Sequence, residues 1–366
     1  MIIQDLIKPL EKMAPLDYQE DYDNAGLITG SASWECTGVL ISLDVTEEVI
    51  QEALGKNCNL VISHHPIVFK GLKKLNGKNS VERAVIAAIR FDLALYAIHT
   101  NLDNIKQGVN GKIADLLGLV NRSVLQARPN TLKKLFTFVP AANAEELRNA
   151  IFSVGAGQLG NYSECSFNSA GTGTFKPGAG SNPFVGMQGE RHHENEIRIE
   201  VVFPSSLQNS VIDAMRKAHP YEEVAFDIVD LSNPHPEIGA GLVGELENPL
   251  DETSFLQLLG SRFRLPAIRH TALLHRPVTR VALCGGAGSF LMGKALGQKA
   301  DVYITADMKY HEFFNADGRM MIADIGHYES EQYTIDLIYD ILKQNFGNFA
   351  ILKTEVNTNP VKYFVN

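Results

Sequence analysis

The chain has 366 residues, of which 45% are hydrophobic and 20% are charged, a composition typical of a globular protein that buries more than one core in two or three domains. Its formal net charge of −9 at pH 7 provides no general basic field, which argues against nucleic acid as a bulk partner. No apolar stretch approaches the roughly 18 residues of a membrane span, so we expect no membrane partner.

The N-terminal segment MIIQDLIKPLEKM mixes charged and apolar residues and predicts an amphipathic helix without a cleavable apolar signal. The cysteines are far apart and form no CxxC pair, which indicates packing rather than bridging. They are Cys36, Cys58, Cys165 and Cys284. We therefore expect the protein in a reducing cytoplasm.

Strand-like apolar runs alternate with helical patterns over residues 1–125. The runs are VLISLD, TEEVIQEALGK, NLVIS, SVERAVIAAIRF, LALYAI and VNGKIADLLGL. This alternation is typical of βαβ units on a parallel sheet. Polar residues near these runs, including Asp23, Asn24 and Asp44, are interpreted as ordinary turn or cap residues.

Two adjacent histidines stand at the end of one apolar run, in NLVISHHPIVF. Because α/β sheets place ligand sites at the carboxyl ends of their strands, we interpret His64 and His65 as metal ligands. The next run, LALYAIHTNLDN, ends similarly with His99 and Asp103. The alternatives are a helix cap and a buried, hydrogen-bonded histidine for the first pair, and turn chemistry for the second.

Residues 126–235 follow a different pattern. In chain order, the predicted elements are the strand KLFTFVP, the helix AEELRNAIFSVG, a long Gly-rich loop over residues 155–189, the strand EIRIEVVFP, the helix QNSVIDAMRKAH and the strand VAFDIVDL. Two βαβ-like units around a loop predict a ferredoxin-like α+β module inserted into the α/β domain.

The βαβ alternation returns over residues 236–366, with strands such as RVALCG, DVYITA and MMIADI. The run MIADIGHYESE ends in His327 and Glu331, which share one face if a helix begins at Tyr328. The stretches LVISHHPIVF and VYITADMKYHEFF also match each other in pattern. We interpret this as a weak internal repeat of two related α/β lobes facing each other across a cleft.

The combined ligand set suits two metal ions better than one. Five or six imidazole and carboxylate ligands exceed what one tetrahedral ion takes, and a bridging carboxylate could hold two cations about 3.5 to 4 Å apart. Imidazole together with carboxylate suits zinc, iron, manganese or nickel better than magnesium or calcium. Asp307 and His311, in TADMKYHEFF, could support the ligands or act as general acid and base. Their alternative is a helix cap followed by a helix-surface histidine.

Two glycine-rich strings are of the kind that can hold phosphates or other anions. GAGQLG, with Gly155, Gly157 and Gly160, follows a helix instead of a strand, so a dinucleotide site is rejected. CGGAGSF, at residues 284–290, follows a strand and opens a helix. Its backbone amides could therefore hold an anion near the metals, although such glycines also serve to turn the backbone.

Six motifs distributed over residues 20–335 closely resemble the GTP cyclohydrolase I type 2 homologue family, also called the NIF-three-like dinuclear metal centre proteins. They are DYDNAGLITG, SHHPIVF, HTNLDN, RVALCGGAGSF, DVYITADMKYH and IGHYESE. One departure is Ala306, where the family usually has Gly. The resemblance implies two divalent metal ions per subunit and a homohexameric toroid whose metal sites line an internal cavity. It also implies metal ligands at His64, His65, Asp103, His327 and Glu331, with His99 beside them.

The inserted segment resembles the extra module of the longer family members, which is similar to PII and CutA-type proteins. The supporting strings are GAGQLGNYSECSF, GTGTFKPGAGSNPFVG and HPYEEVAFDIVDL. The resemblance implies a discontinuous NIF-three-like metal domain of two α/β lobes, over residues 1–125 and 236–366. A PII/CutA-like ferredoxin-like domain would occupy residues 126–235 and take part in a trimer-like assembly.

Two functions follow as expectations. The first is a metal-dependent hydrolase in which metal-activated water attacks a small polar or nucleotide substrate; the family label implies GTP, opened at its imidazole ring with release of formate. The chain has no GxxxxGK[ST] loop or guanine-reading pattern that would support GTP independently. The second is a non-catalytic metal-binding regulatory or scaffold ring with a PII-like sensing insert.

Overall fold

The computed structural model describes residues 1–364 and divides the chain into two compact units. The main unit comprises Met1–Ala127 with Pro236–Asn366, and the inserted unit comprises Arg128–His235. The helices of the described residues are α1 (Ile3–Met13), α2 (Glu47–Gly55), α3 (Ser80–Arg90), α4 (Thr100–Asp103), α5 (Val109–Leu116), α6 (Ala144–Ser153), α7 (Gln208–Ala218), α8 (Glu252–Phe263), α9 (Met292–Gly297), α10 (His327–Glu331) and α11 (Thr334–Asn345).

The strands are β1 (Gly26–Thr29), β2 (Val39–Ser42), β3 (Leu60–Ser63), β4 (Ala94–Ala97), β5 (Leu119–Ala127), β6 (Leu132–Pro140), β7 (Ser166–Phe175), β8 (His192–Pro204), β9 (Phe226–Asp230), β10 (Gly239–Leu250), β11 (Arg269–His270), β12 (Val278–Ala287), β13 (Val302–Ala306), β14 (Met321–Asp324) and β15 (Ile351–Lys353). In residues 1–364, every helix is too short or too polar to cross a membrane.

The main unit contains two sheets with the same central plan. The first has the order β1-β4-β3-β2-β15, and the second has the order β11-β14-β13-β12-β10-β5. In each sheet three neighbouring strands run parallel, β2-β3-β4 or β12-β13-β14, and an antiparallel edge strand flanks them. This mixed α/β architecture agrees with the predicted fold class, and the matching strand order agrees with the proposed internal repeat.

The parallel strands are buried on both faces, which explains their continuous apolar sequences. In β3, Leu60 and Ile62 pack into a core shared by the two sheets, while Val61 packs under α2 and α3. In β13, Val302 and Ile304 join the same shared core. Helices α1, α5, α8 and α11 also contribute to this core, so it unites the main unit.

Each sheet of the main unit includes an edge strand from the other half of the sequence. The last strand, β15, pairs in parallel with β2 of the first sheet. In the second sheet, β5 from the N-terminal half pairs with β10. The two lobes are therefore not formed by separate stretches of chain, contrary to the simplest form of the predicted repeat.

The inserted unit is a four-stranded antiparallel sheet with two helices on one face. Its chain order is β6-α6-β7-β8-α7-β9 and its sheet order is β7-β8-β6-β9, the ferredoxin-like arrangement. The predicted Gly-rich loop is wrong in part, because β7 lies within it and pairs with β8 over ten residue pairs. This long ladder overrides the low strand propensity of its glycines.

Candidate metal centre

Polar side chains converge where the central strands of both sheets of the main unit end. Two of them follow β3, one follows β4, one ends α4, and two lie on α10 after β14. In the same order they are His64 with His65, His99, Asp103, and His327 with Glu331. Within this set lie three groupings whose ligand atoms are all within 4.8 Å of one another.

The closest contacts surround one oxygen of Glu331. His65 Nε2 lies 3.0 Å from Glu331 Oε2, and His327 Nε2 lies 3.1 Å from the same oxygen. The two imidazole nitrogens are 3.3 Å apart. Glu331 itself is buried, and its position four residues after His327 on α10 places both side chains on one face, as the sequence predicts.

His64 presents a buried lone pair to the other side of the same carboxylate. Its Nδ1 donates to the carbonyl oxygen of Ile98 at 2.8 Å, and because a carbonyl only accepts, the neutral ring has an unprotonated Nε2. That nitrogen is 3.6 Å from Asp103 Oδ1 and 3.9 Å from Glu331 Oε1, and within residues 1–364 it has no hydrogen-bond partner.

A buried acceptor without a donor is costly unless something else occupies the space in front of it. The His64 side chain is fully buried, and the atoms facing its Nε2 are carboxylate oxygens. A cation is the species that satisfies imidazole lone pairs and carboxylates together. The residues present therefore fit a metal ion, and their nitrogen and oxygen donors suit zinc, iron, manganese or nickel better than calcium or magnesium.

Each of the other three histidines of this cluster is held through its Nδ1 atom by a carboxylate. This arrangement fixes the ring and directs Nε2 toward a metal. The pairs are His65 with Asp44 at 2.8 Å, His327 with Asp307 at 2.7 Å, and His99 with Asp23 at 2.8 Å. Their rings lie close together: the centroid of His99 is 5.2 Å from that of His64 and 5.3 Å from that of His65.

Two of these supporting carboxylates were missed in the sequence. Asp23 and Asp44 stand in loops where turn or cap roles are the default interpretation. Asp23 also accepts hydrogen bonds from the backbone and hydroxyl of Thr100, and Asp44 accepts one from the Thr358 hydroxyl at 2.6 Å. No local pattern links Asp44 to a partner 314 residues away, so only the folded chain reveals the pair.

Asp307 and His311 have different surroundings. Asp307 has a φ of +55°, a left-handed conformation that aspartate tolerates, and its carboxylate reaches His327. His311 is exposed in a 3-10 helix, and its ring packs against Tyr310 and Phe314, with centroids 5.1 and 6.4 Å away. The structure therefore brings Asp307 to the cluster but gives His311 no contact with it.

The protonation equilibria of the histidines reflect the concentration of carboxylates. Burial lowers the pKa of His64 to about 4. Burial also opposes protonation of His65, but its hydrogen bonds with Asp44 and Glu331 outweigh this and raise its pKa to about 10. The same balance, with bonds to Glu331 and Asp307, raises the pKa of His327 to about 9.

The pKa values of the Asp103 and Glu331 carboxyl groups shift in opposite directions. Burial and the neighbouring charge of Glu331 raise the pKa of Asp103. Burial acts the same way on Glu331, but the hydrogen bonds from His327 and His65 outweigh it and lower its pKa. Protonated imidazoles thus balance the carboxylates, and a divalent cation could replace those protons.

The glycine amides of CGGAGSF, which the sequence predicts could hold an anion, already have acceptors within the protein. Three of its amides already donate to side-chain oxygens of the main unit: Gly285 to Asn110, Gly286 to Ser330, and Gly288 to Thr305.

Instead, the glycines of this string leave space for the Glu331 carboxylate. Gly286 has a φ of +60°, and a Cβ there would lie 2.3 Å from Glu331 Oε1. A larger residue would therefore displace the carboxylate from the centre of the cluster.

Comparison with known proteins gives consistent matches over nearly the whole chain. The family model Duf34/NIF3 (NGG1p interacting factor 3) matches residues 1–360. Proteins named GTP cyclohydrolase 1 type 2 homolog from Halalkalibacterium halodurans and Bacillus subtilis are each 37% identical, with 98% of this chain and 98% of the relative covered. The crystal structure of the Bacillus cereus protein related to NIF3 is 36% identical and superposes with a TM-score of 0.87, covering 100% of this chain and 99% of that one.

Proposed function

Because this chain belongs to the Duf34/NIF3 family, we propose that its main unit holds two divalent metal ions and acts as a metal-dependent hydrolase. The ligands would be His64, His65, Asp103, His327 and Glu331, with His99 as a sixth candidate. Zinc, iron, manganese and nickel all suit this donor set.

The observation that carries the dinuclear proposal is the position of Glu331. Its Oε2 contacts His65 and His327, whereas its Oε1 faces His64. The two oxygens of one buried carboxylate therefore point at two different sets of ligand atoms. This is the disposition expected of a bridging carboxylate in a two-metal site.

Metal content tests the proposal directly. Protein purified without added metal is analysed by plasma mass spectrometry, and its crystals by anomalous scattering. We expect two ions per chain, and at most one in Glu331→Gln, because an amide is a poor bridge. A single ion per chain in the unaltered protein would contradict the dinuclear assignment.

The catalytic part of the proposal rests on what the residues can do around bound cations. Divalent cations supply Lewis acidity, which activates water and polarises the bond under attack. Asp307 holds the His327 ring through Nδ1, and its side chain is 54% exposed. Its carboxylate is therefore open to solvent beside the cluster, and we assign it the proton-carrying role. His311, which has no contact with the cluster, receives none.

The substrate class follows from the relatives, which are named GTP cyclohydrolase 1 type 2 homolog. We propose a small polar or nucleotide substrate and test GTP first. Metal-loaded protein is incubated with GTP, and formate and ring-opened product are measured against a His64→Ala/His65→Ala control. Product above that control supports a cyclohydrolase; equal traces in both samples would reject GTP as the substrate.

A second candidate is a metal-binding regulatory ring without turnover. It is favoured by the inserted unit, which has its own cavity of about 580 Å³ and lacks the candidate metal ligands. Screening phosphoesters, cyclic amides and nucleotides separates the two functions. Turnover abolished by chelator identifies the enzyme, whereas saturable binding without product identifies the regulator.

We further propose a homohexameric toroid with the metal sites facing an internal cavity, and a PII/CutA-like fold for the inserted unit. The ferredoxin-like strand order supports the latter. Exposed large apolar side chains of the main unit, including Phe290, Tyr310 and Phe314, are compatible with subunit contacts. Light scattering should give six times the chain mass of 40.2 kDa; a monomer would reject the ring.

The cellular location is proposed as the cytoplasm. All four cysteines are free, and three of them are buried. Reducing compartments keep thiols in this state. Fractionation of the source cells tests the assignment.

A further inference from the structure

A cavity of about 580 Å³ lies within the inserted unit, on the sheet face opposite its helices. Alternation along β8 separates the two faces: Ile199 and Val201 pack into the helix-covered core, whereas Glu196 and Arg198 line the cavity. Segment 177–184 lines the cavity, and its Asn182 backbone donates a hydrogen bond at 2.9 Å to Glu222 in the loop between α7 and β9. The volume falls in the range of small-molecule sites.

Aromatic rings form the walls of the cavity. The Tyr221 ring centroid lies 5.8 Å from that of Phe175 and 6.3 Å from that of Phe184, and Phe138 lines the cavity as well. Phe184 is 56% exposed although it is a large apolar residue. Several aromatic rings therefore line the same cavity.

A buried carboxylate faces the same space. Glu196 is only 9% exposed, and its Oε1 accepts a hydrogen bond from the Tyr221 hydroxyl at 3.0 Å. Its Oε2 lies beside Gly173. A Cβ at Gly173 would lie 2.1 Å from that oxygen, so the glycine leaves the room in which the carboxylate sits.

The other charges make the cavity acidic. Glu222 and Glu223 also line it, and the one lining guanidinium, Arg198, is already paired with Glu200 at 3.2 Å and lies over the Phe136 ring. An anionic ligand would meet net repulsion there. A largely buried carboxylate beside aromatic rings is instead stabilised by a positive partner.

We propose that this cavity binds a small organic cation, an alkyl or aryl ammonium compound. The ammonium group would lie at Glu196 Oε2, and its apolar part would pack against Phe175, Phe184 and Tyr221. Aromatic faces attract a cation through their quadrupoles, most strongly where water is excluded. The proposal is independent of the metal centre and of its chemistry.

The test compares three ring compounds of the same size by calorimetric titration of the full-length protein. Benzylamine is cationic at neutral pH, benzyl alcohol is neutral and benzoate is anionic. We expect saturable benzylamine binding that is about tenfold tighter than that of benzyl alcohol, with benzoate weakest. Equal binding of benzylamine and benzyl alcohol, or no saturable benzylamine binding, would overturn the proposal.

Variants locate the site. Glu196→Gln keeps an acceptor for Tyr221 and should lose about tenfold in benzylamine affinity while leaving benzyl alcohol almost unchanged. Glu146→Gln removes the same charge from an exposed position on α6 and should change the affinity for neither benzylamine nor benzyl alcohol. Phe184→Ala, at an exposed part of the cavity wall, should weaken the binding of benzylamine. Unaltered benzylamine binding in both Glu196→Gln and Phe184→Ala would place the compound elsewhere and overturn the proposal.

One control separates this site from the metal centre, because free amines can coordinate metal ions. Benzylamine titrations are repeated with His64→Ala/His65→Ala protein. The affinity should remain that of the unaltered protein. Its loss in this variant would assign the amine to the metals and overturn the proposal.

Discussion

The four site histidines each use Nδ1 for a fixed acceptor, a carboxylate or the Ile98 carbonyl, and so leave Nε2 for the centre. These acceptors determine ring orientation and raise the basicity of the ligating nitrogen. The affinity of the site therefore depends on residues that do not themselves contact the cation. Asp44 is the clearest case, because it joins His65 to Thr358.

Asp44→Ala should lower metal affinity by about 10 to 100-fold, since His65 loses its orienting carboxylate. Thr358→Val should have a smaller effect in the same direction. Competition with a chromophoric chelator measures both. Glu47→Ala is the matched control, because Glu47 pairs with Arg83 at the surface. Unchanged affinity in Asp44→Ala would show that the hydrogen bond between His65 and Asp44 makes no contribution to metal binding.

Gly286→Ala should also weaken metal binding, by at least about tenfold, because the new Cβ displaces Glu331 and the backbone has a φ of +60°. The strained conformation alone costs about 1 to 2 kcal/mol of stability. Gly293→Ala, in α9, meets no atom within 4 Å and should keep metal affinity and slightly raise stability. Chelator competition and denaturant unfolding of both variants measure the contrast, which would be absent if Glu331 did not depend on that space.

At the scale of elements, the parts readable from the sequence were those with strong local patterns. The buried runs of β3 and β14 stand out because both of their faces are apolar, and polar residues at their ends point to a site. Strand β7 was missed because its stability comes from the ladder with β8 rather than from its own residues. The pairing of β15 with β2 could not be predicted from the sequence, because it joins segments that are far apart along the chain.

The end of α7 offers an element-scale prediction about pH. His219 caps this helix, donates from Nε2 to the Phe138 carbonyl and accepts from the Tyr221 amide at Nδ1. Burial lowers the pKa of His219 against weaker opposing effects of the hydrogen bond to Phe138 and of the Glu196 charge. The unfolded chain therefore takes up a proton near pH 6.5 that the folded unit does not, so the free energy of unfolding should fall as the pH decreases through that value.

His219→Gln, which can still donate to Phe138, should reduce this fall, whereas His193→Gln, at an exposed position, should leave it unchanged. Denaturant unfolding at about pH 7.5 and about pH 5.5 measures the difference. An identical pH dependence in the two variants would show that His219 makes no contribution.

At the scale of the whole molecule, the candidate ligands come from three segments that meet only when both sheets of the main unit are formed. His64 follows β3, Asp103 follows β4, and Glu331 follows β14. Binding a cation therefore favours the folded main unit over every state in which the sheets are apart. Metal binding and folding of this unit should be thermodynamically linked.

Added zinc or manganese should raise the melting temperature of chelator-treated protein. At a free metal concentration of about 100 times Kd, the expected stabilisation is about 2.7 kcal/mol, which corresponds to several degrees for a unit of this size. Differential scanning calorimetry measures the shift, and His64→Ala/His65→Ala protein should show none. Equal shifts in both proteins would place the stabilising ion outside the cluster.

The position of β15 has a consequence for biosynthesis. This strand completes the sheet that begins with β2, and Thr358, just beyond it, holds Asp44 from 314 residues away. A ribosome-bound chain that stops before residue 351 leaves the edge of β2 unpaired and Asp44 without this support. Such nascent chains display an open strand edge of the kind that promotes aggregation, so this protein should engage chaperones until β15 has been synthesised.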